Sequence, residues 1–172
     1  MTAPGKTVNG FRFMPPSLAA WIGSSIPEKP FSGDIPWTPL GKPLAETTFA
    51  LMTSAGISVK SDPPFDMARE RREPTWGDPT FRAIPREAGE ADIAVNHLHI
   101  TTDFIKQDLN VILPLARFRE LERDGRIGRL APTSYSYYGY QPDPTVLLSE
   151  AMPQVAERMR AEGVEAVLLT PA

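Results

Sequence analysis

The sequence predicts an α/β domain with an open, mainly parallel sheet and flanking helices, preceded by a proline-rich arm. In the second half, apolar runs of strand length alternate with helical patterns, as in parallel βαβ units. Nineteen prolines, concentrated in residues 15–43, 63–85 and 132–153, favour extended loops there. Apolar residues make up 41% of the 172 residues, enough for a buried core. We expect residues 1–45 to form an extended arm that packs on the core, and residues 46–172 to form the α/β domain.

The composition argues against several partners and compartments. The net charge is -3, so nothing attracts the chain to nucleic-acid phosphates or anionic lipid. The longest apolar stretches fall far short of the roughly 20 residues that span a bilayer, and the N-terminus lacks a signal-peptide pattern. We expect a cytoplasmic protein that binds neither nucleic acid nor membrane. With no cysteine, the chain has no thiol nucleophile or thiolate metal site.

The first half contains few regular elements. In the arm, a short helix is expected only over residues 17–23. Thr48–Thr53 is a short apolar run that ends in a glycine-containing turn, which predicts the first core strand. We interpret the charge run at residues 69–73 as a solvated face rather than an anion site, and residues 81–84 as a brief strand.

Stronger patterns begin at residue 92. Residues 92–100 alternate in polarity, which predicts a strand that projects His97 and His99 to the same side. After a second apolar run, Pro114 opens a helix with apolar residues at helical spacing, and Gly125 ends it.

The last third completes the βαβ pattern. Residues 127–137 predict another strand, and residues 146–162 predict a helix that Pro153 kinks or restarts. Gly163 ends this helix, and residues 164–169 form the final strand.

The end of the final strand is the predicted ligand edge. Open parallel sheets bind ligands outside the carboxyl ends of their strands, and Thr170 occupies that position. No covering helix follows, so we expect either an edge strand or a missing segment. An uncovered apolar face also favours association, which makes a homo-oligomer one expected outcome.

A series of short motifs occurs in a fixed order along residues 30–172. The series includes Ile35-Pro-Trp-Thr-Pro-Leu, Leu51-Met-Thr-Ser-Ala-Gly56, Gly77-Asp-Pro-Thr-Phe-Arg-Ala-Ile-Pro85, His97-Leu-His99, Ala131-Pro-Thr-Ser-Tyr-Ser-Tyr-Tyr-Gly139 and Ala166-Val-Leu-Leu-Thr-Pro171. Together these motifs resemble the selenoprotein B family of glycine, betaine, sarcosine and D-proline reductases, in its short, D-proline-reductase-like form.

The resemblance implies reductive cleavage of a small amino-acid-like substrate, with electrons from an external dithiol and with a partner reductase subunit. Relatives continue past the Leu-Leu-Thr-Pro strand with selenocysteine or cysteine. We therefore expect selenocysteine at position 173, directly after Ala172, encoded by a UGA codon that was taken as a stop. A selenolate at the end of a buried strand is the nucleophile that this chemistry needs. Residues 1–172 alone would then be inactive.

His97 and His99 are the two histidines of the chain and the expected auxiliary catalytic residues. On one side of a strand they would form a proton-transfer pair beside the nucleophile, or they would only form hydrogen bonds at the sheet rim. Two histidines without a defined third ligand are a weak metal signal. Asp103 or Asp108 could complete a site, but both are typical of solvated loop acids, so we expect no metal.

Two further segments are expected to bind the substrate. Tyr135, Ser136, Tyr138 and Gly139 match a family motif, and the tyrosines would either donate hydrogen bonds to a substrate carboxylate or pack in the core. Thr53, Gly56 and Thr170 lie at strand ends, where backbone N–H groups would either face an anion or close an ordinary turn.

Two alternatives to the reductase stay open. One is a non-catalytic small-molecule-binding module that kept the α/β scaffold and lost the redox end. The other is metal-dependent hydrolysis through the histidine pair, which has less support.

Overall fold

The computed structural model of the chain describes residues 9–25 and 38–172, apart from the side chains of residues 21, 24 and 25. The chain divides into two compact units, residues 1–38 and 39–172. In the first unit, a 3-10 turn at Gly10–Phe13 precedes helix α1, Pro16–Ser25, which confirms the short helix expected there. The packing of the arm on the core stays a prediction, and residues 1–8 and 26–37 of the arm lie outside the described ranges.

The second unit contains a mixed, mostly parallel sheet with β1, Thr48–Thr53, at its centre. β7, Ala166–Thr170, runs parallel to β1 in register from Phe49 to Thr53. β5, Arg129–Leu130, and β6, Thr133–Tyr137, run parallel to successive parts of β1. Because β7 occupies one edge of β1, β5 and β6 share the other edge as one interrupted strand. β3, Phe81–Pro85, lies antiparallel to β6 beyond it.

Helices flank this sheet on both faces. Alternate residues of a strand point to opposite faces, and in β1 Leu51 and Met52 enter two different apolar cores. Leu51 shares its core with Leu115 of α4, Leu115–Arg123. Met52 shares the other core with Val155 of α5, Met152–Ala161. The predicted α/β class with a mainly parallel sheet and flanking helices is therefore confirmed.

The predicted restart at Pro153 is also confirmed. A π-helical turn, Leu147–Ala151, leads into α5, and Pro153 lies in the first turn of that α-helix. Proline has no N–H to donate, so the hydrogen-bond pattern changes just ahead of it. Gly163, with φ of 73°, follows the helix in the left-handed conformation that glycine adopts without strain.

The strand predicted over residues 92–100 is wrong in its second half. β4 covers only Ile93–Val95 and pairs antiparallel with β2, Ile57–Val59, in a separate two-stranded sheet. Beyond β4 the backbone N–H of His99 donates to Nδ1 of His97 at 3.1 Å. This local bond takes the place of a ladder bond, so the two histidines do not share a strand face.

Short helices connect the two sheets. α2, Met67–Arg72, follows β2, and α3, Asp103–Gln107, follows the histidines. A 3-10 turn, Leu109–Val111, then leads into α4. Asn110 Oδ1 accepts the N–H of Ala116 at 3.0 Å and so caps the start of α4.

β7 is the outer strand on its side of the sheet, as far as the described residues go, and β1 is its partner. Its apolar residues Val167, Leu168 and Leu169 are exposed. Within residues 9–25 and 38–172, no helix combines the length and hydropathy that crossing a bilayer requires.

Candidate functional site

The carboxyl ends of β1, β6 and β7 meet around Ser54. The Ser54 N–H donates to the C=O of Thr170 at 3.2 Å, and the Ser54 C=O accepts the N–H of Gly139 at 2.9 Å. The N–H of Ala172 donates to Ser54 Oγ at 2.9 Å. The structure therefore brings the predicted residues Gly139 and Thr170 to one edge of the sheet, together with the turn after β1.

Gly56 fixes the contact between this turn and the histidine segment. Its φ is 61°, and an added Cβ would lie 2.9 Å from both the carbonyl oxygen of Asn96 and the Tyr138 ring. Only glycine fits this conformation and this spacing without strain. The backbone therefore approaches Tyr138 and His97 more closely than any other residue type would allow.

The backbone N–H groups of the turn are already used. The N–H of Ala55 donates to Thr53 Oγ1 at 3.2 Å, and the N–H of Gly56 donates to the C=O of Tyr137 at 3.0 Å. An anion at this turn would have to displace these bonds, so the geometry favours the ordinary-turn interpretation of residues 53–56.

A buried carboxylate organises the aromatic side chains at this edge. Glu70, on α2, is 4% exposed and accepts hydrogen bonds from the Tyr138 hydroxyl and from Nε2 of His99. The Tyr138 oxygen in turn accepts the N–H of Leu98 at 3.3 Å. Since a carboxylate only accepts, the hydrogen bond places a proton on Nε2 of His99. His99 Nδ1 is then left to accept a proton or a hydrogen bond.

His97 also carries its proton on Nε2, but its Nδ1 is already occupied. Its Nδ1 accepts the N–H of His99, so a neutral His97 has its proton on Nε2. The His97 ring stacks on Tyr138 with centroids 4.5 Å apart, and the two imidazoles meet edge to face at 5.9 Å. The pair thus offers one N–H donor and one unprotonated nitrogen.

The electrostatics keep two buried members of the cluster, His97 and Tyr138, neutral. Burial lowers the pKa of His97 below its ordinary value of 6.5, and the neighbouring His99 lowers it further. Burial and the hydrogen bond to Glu70 raise the pKa of Tyr138 well above its ordinary value. At neutral pH the cluster therefore contains an uncharged imidazole and an uncharged phenol.

His99 is the member of the cluster that meets solvent. Its side chain is 47% exposed, and its ring lies 4.2 Å from that of Tyr140, measured between centroids. The Tyr140 hydroxyl donates to the C=O of Pro74 at 2.7 Å, which holds that ring in place. His99 can therefore exchange protons with solvent or with a bound ligand while Glu70 fixes its orientation.

The remaining predicted site residues lie in the core or already use their hydroxyl groups in other hydrogen bonds. Tyr135 is buried in the core on the α5 side of the sheet, where its hydroxyl has no partner among the described residues. Ser136 is fully buried, and its Oγ accepts the N–H of Ile57 at 2.9 Å. Thr170 donates through Oγ1 to the C=O of Ile112 at 2.5 Å. Their proposed contact with substrate stays a prediction.

The described part of the chain contains no cluster of side chains that would form a metal centre. No three histidine or acidic side chains there converge so as to hold a metal ion. Asp103, the third ligand considered from sequence, lies on α3 and pairs with Lys106 at 3.5 Å in an exposed contact.

Glu70 is the site residue that the sequence did not reveal. It lies within a run of arginines and glutamates that has the composition of a solvated surface. Its two neighbours along the run, Arg69 and Arg71, are not buried, and no apolar periodicity marks the inward position. Only the packing of α2 against the histidine segment shows that this carboxylate is inside.

A family model and two curated proteins match this chain. Residues 28–172 match the family model described as glycine/sarcosine/betaine reductase selenoprotein B. The chain is 36% identical over 134 residues to D-proline reductase subunit gamma of Acetoanaerobium sticklandii, covering 78% of this chain and 52% of that protein. It is 28% identical over 138 residues to glycine reductase complex component B subunit gamma of Carboxydothermus hydrogenoformans, covering 79% of this chain and 30% of that protein. The chain thus spans about half or less of these relatives. No solved structure matches.

Proposed function

Since the chain belongs to the glycine/sarcosine/betaine reductase selenoprotein B family, we propose that it serves in a subunit of a reductase complex acting on a small amino-acid-like substrate. The observation that carries this proposal is the family match across residues 28–172. The names of the two relatives, which are subunits of D-proline and glycine reductases, support the choice of substrate class and of a companion subunit.

The proposed reaction is a two-electron reductive cleavage. In the net reaction, one carbon–nitrogen bond of the substrate is replaced by a C–H bond and an N–H bond. The two thiols of an external dithiol supply both electrons and both protons and become a disulfide. The attacking group is a selenocysteine or cysteine at position 173. It would lie beyond Thr170, at the edge where ligands of parallel sheets bind.

We assign the histidine pair to proton handling beside this nucleophile. The leaving nitrogen needs a proton, which His99 takes up at its free Nδ1 and delivers, while His97 Nε2–H donates a hydrogen bond beside it. Tyr138 and Gly139 would line the substrate side, because both adjoin the turn around Ser54. Glu70 acts through His99 and is therefore a positioning residue.

The test begins with the gene. A UGA codon after Ala172, or a downstream frame that encodes cysteine, is expected. A UAA or UAG codon with no such frame would contradict the proposal. The protein extended through that position, with selenocysteine or cysteine, is then combined with its companion subunits and assayed. D-proline, glycine, sarcosine and betaine are offered with dithiothreitol, and amine release, or for D-proline the primary amine formed by ring opening, is measured.

The matched control is the same extended protein with serine at position 173. Amine release by the selenocysteine or cysteine form and none by the serine form supports the reductase. Binding of a substrate by both forms without any amine release supports the non-catalytic binding module.

A further inference from the structure

In the small sheet formed by β2 and β4, the hydrogen bonds between the two strands show which backbone groups of β4 point away from β2. Lys60 N–H donates to the C=O of Asp92 at 2.8 Å, and Asn96 N–H donates to the C=O of Gly56 at 2.9 Å. In an antiparallel pair, hydrogen-bonded positions alternate with positions whose backbone groups point away from the partner strand. Ala94 therefore faces β2, whereas Ile93 and Val95 direct their backbone groups to the opposite side.

Three of these outward groups have no partner within residues 9–25 and 38–172. The Ile93 N–H is used, because it donates to the C=O of Glu90 in the preceding 3-10 turn. The C=O of Ile93 and both the N–H and the C=O of Val95 form no hydrogen bond there. An unpaired N–H and two unpaired carbonyls in a row are what an incoming strand requires.

A groove runs along this same edge. Its volume is about 360 Å³, and it lies between β4 and helix α3. Its apolar lining comes from Ile93, Val95 and Ile105, and the ammonium-bearing side chains Lys60 and Lys106 also line it. Free backbone groups, an apolar floor and a helix on the far side together form a receptor for one extended chain segment.

The residues that line the groove carry two positive charges, on Lys60 and Lys106, and one negative charge, on Glu90. The Glu90 carboxylate accepts the N–H of Leu109 at 2.9 Å, which lowers its pKa and holds it at the wall. Lys60 donates one N–H to the C=O of Ala91 and keeps two more donors. Lys106 meets Asp103 only in an exposed pair, which holds an ammonium group weakly.

We propose that the free edge of β4 binds an extended segment of a partner protein, rich in acidic side chains, as an added strand. Antiparallel addition would form two reciprocal bonds with Val95 and one with the C=O of Ile93. Side chains on one face of the added strand would enter the groove beside Ile105. Carboxylates flanking them would meet Lys60 and Lys106. This surface lies outside the edge assigned to reduction, so the two proposals stand independently.

Amide hydrogen exchange followed by NMR tests the first requirement in the intact 172-residue chain. The Val95 amide should exchange much faster than the Ala94 amide, its neighbour in the same strand, because Ala94 is bonded to β2 and Val95 is not. Equal protection of both amides without any partner would show that the edge is already covered, and would overturn the proposal.

The second requirement is binding. The probe is a seven-residue peptide with glutamate at positions 1 and 7, valine at positions 3 and 5 and threonine between them, acetylated and amidated, at millimolar concentration. Its glutamates and valines share one face of an extended strand. It should slow exchange at Val95 at least tenfold and leave Ala94 unchanged. The same peptide with lysine for glutamate, and the chain with Lys60→Glu and Lys106→Glu, are the matched controls. Protection of Ala94 shows that this variant is folded. No protection of Val95 by the acidic peptide, or equal protection by both peptides, would refute the acidic-strand site.

Discussion

Replacing Glu70 by alanine should be among the most destabilising single changes at the candidate site. The substitution removes the acceptor of two hydrogen bonds, from Tyr138 and from His99. Tyr138 is 1% exposed, so its hydroxyl cannot turn to water, and an unpaired buried donor costs about 1–3 kcal/mol. The one deleted methylene adds about 0.8 kcal/mol. His99 is half exposed and can be rehydrated, so its share is under about 1 kcal/mol. We expect a total loss of about 2–4 kcal/mol in the free energy of unfolding.

Two further variants separate this effect from a general change of charge. Glu70→Gln keeps the shape and one acceptor oxygen, so we expect a loss of about 1–2 kcal/mol. Glu73→Gln removes a charge from the same run, but Glu73 is half exposed and pairs with Arg69 at the surface. Its loss should stay below about 0.5 kcal/mol.

Urea unfolding followed by circular dichroism at pH 7 measures all three variants against the unchanged chain. The expected order of destabilisation is Glu70→Ala, then Glu70→Gln, then Glu73→Gln. If Glu70→Ala unfolds within about 0.5 kcal/mol of Glu73→Gln, the carboxylate is not a buried hydrogen-bond acceptor and the reasoning fails.

Three other predictions concern the turn at Gly56, the ring of His97 and the cap of α4. Gly56→Ala should cost about 2–4 kcal/mol, since a Cβ there meets Tyr138 and Asn96, whereas Gly125→Ala, with similar φ and open space, should cost about 1 kcal/mol in urea unfolding. Equal costs would disprove the contact. The pKa of His97 is lowered on folding, because the folded chain disfavours the charged imidazole. The free energy of unfolding should therefore be unaffected by His97 above pH about 6.5, and should decrease as the pH falls from there through the lowered pKa. An NMR titration should place the His97 midpoint below 6.5, and a midpoint above it would contradict burial as the cause. Asn110→Ala should cost about 1 kcal/mol by thermal unfolding through loss of the α4 cap, and an unchanged midpoint would mean that the cap contributes nothing.

The sequence predicts those elements whose signals are local. The apolar run of β1 and the helix stop at Gly125 depend on nearest neighbours, and the structure places both as expected. The restart at Pro153 follows from a missing N–H, which is a property of one residue. Such features hold in any fold that uses the segment.

The site is harder to predict because it depends on contacts between distant segments. Alternation around His97 indicates a strand, but the hydrogen bond from the His99 N–H to the ring of His97 ends the strand ladder. The residue types alone do not show whether this local bond or a ladder bond is the more stable. Glu70 is a polar residue in a polar run, and its burial follows from the position of Tyr138, 68 residues later in the chain. The two imidazoles meet at 5.9 Å between centroids, but the bond from the His99 N–H to His97 Nδ1 brings them together, and not a shared strand face.

The central place of β1 has a consequence for protein synthesis. Its bond partners on one side come from β7, and Thr170 and Met52 are 118 positions apart. At translation rates of about 5–20 residues per second, β1 leaves the ribosome roughly 6–24 s before β7 exists. During that interval an apolar strand has one bare edge, which invites pairing with other chains. We expect the nascent chain to depend on a chaperone in this window, and slower translation between the two strands to lower the yield of folded protein.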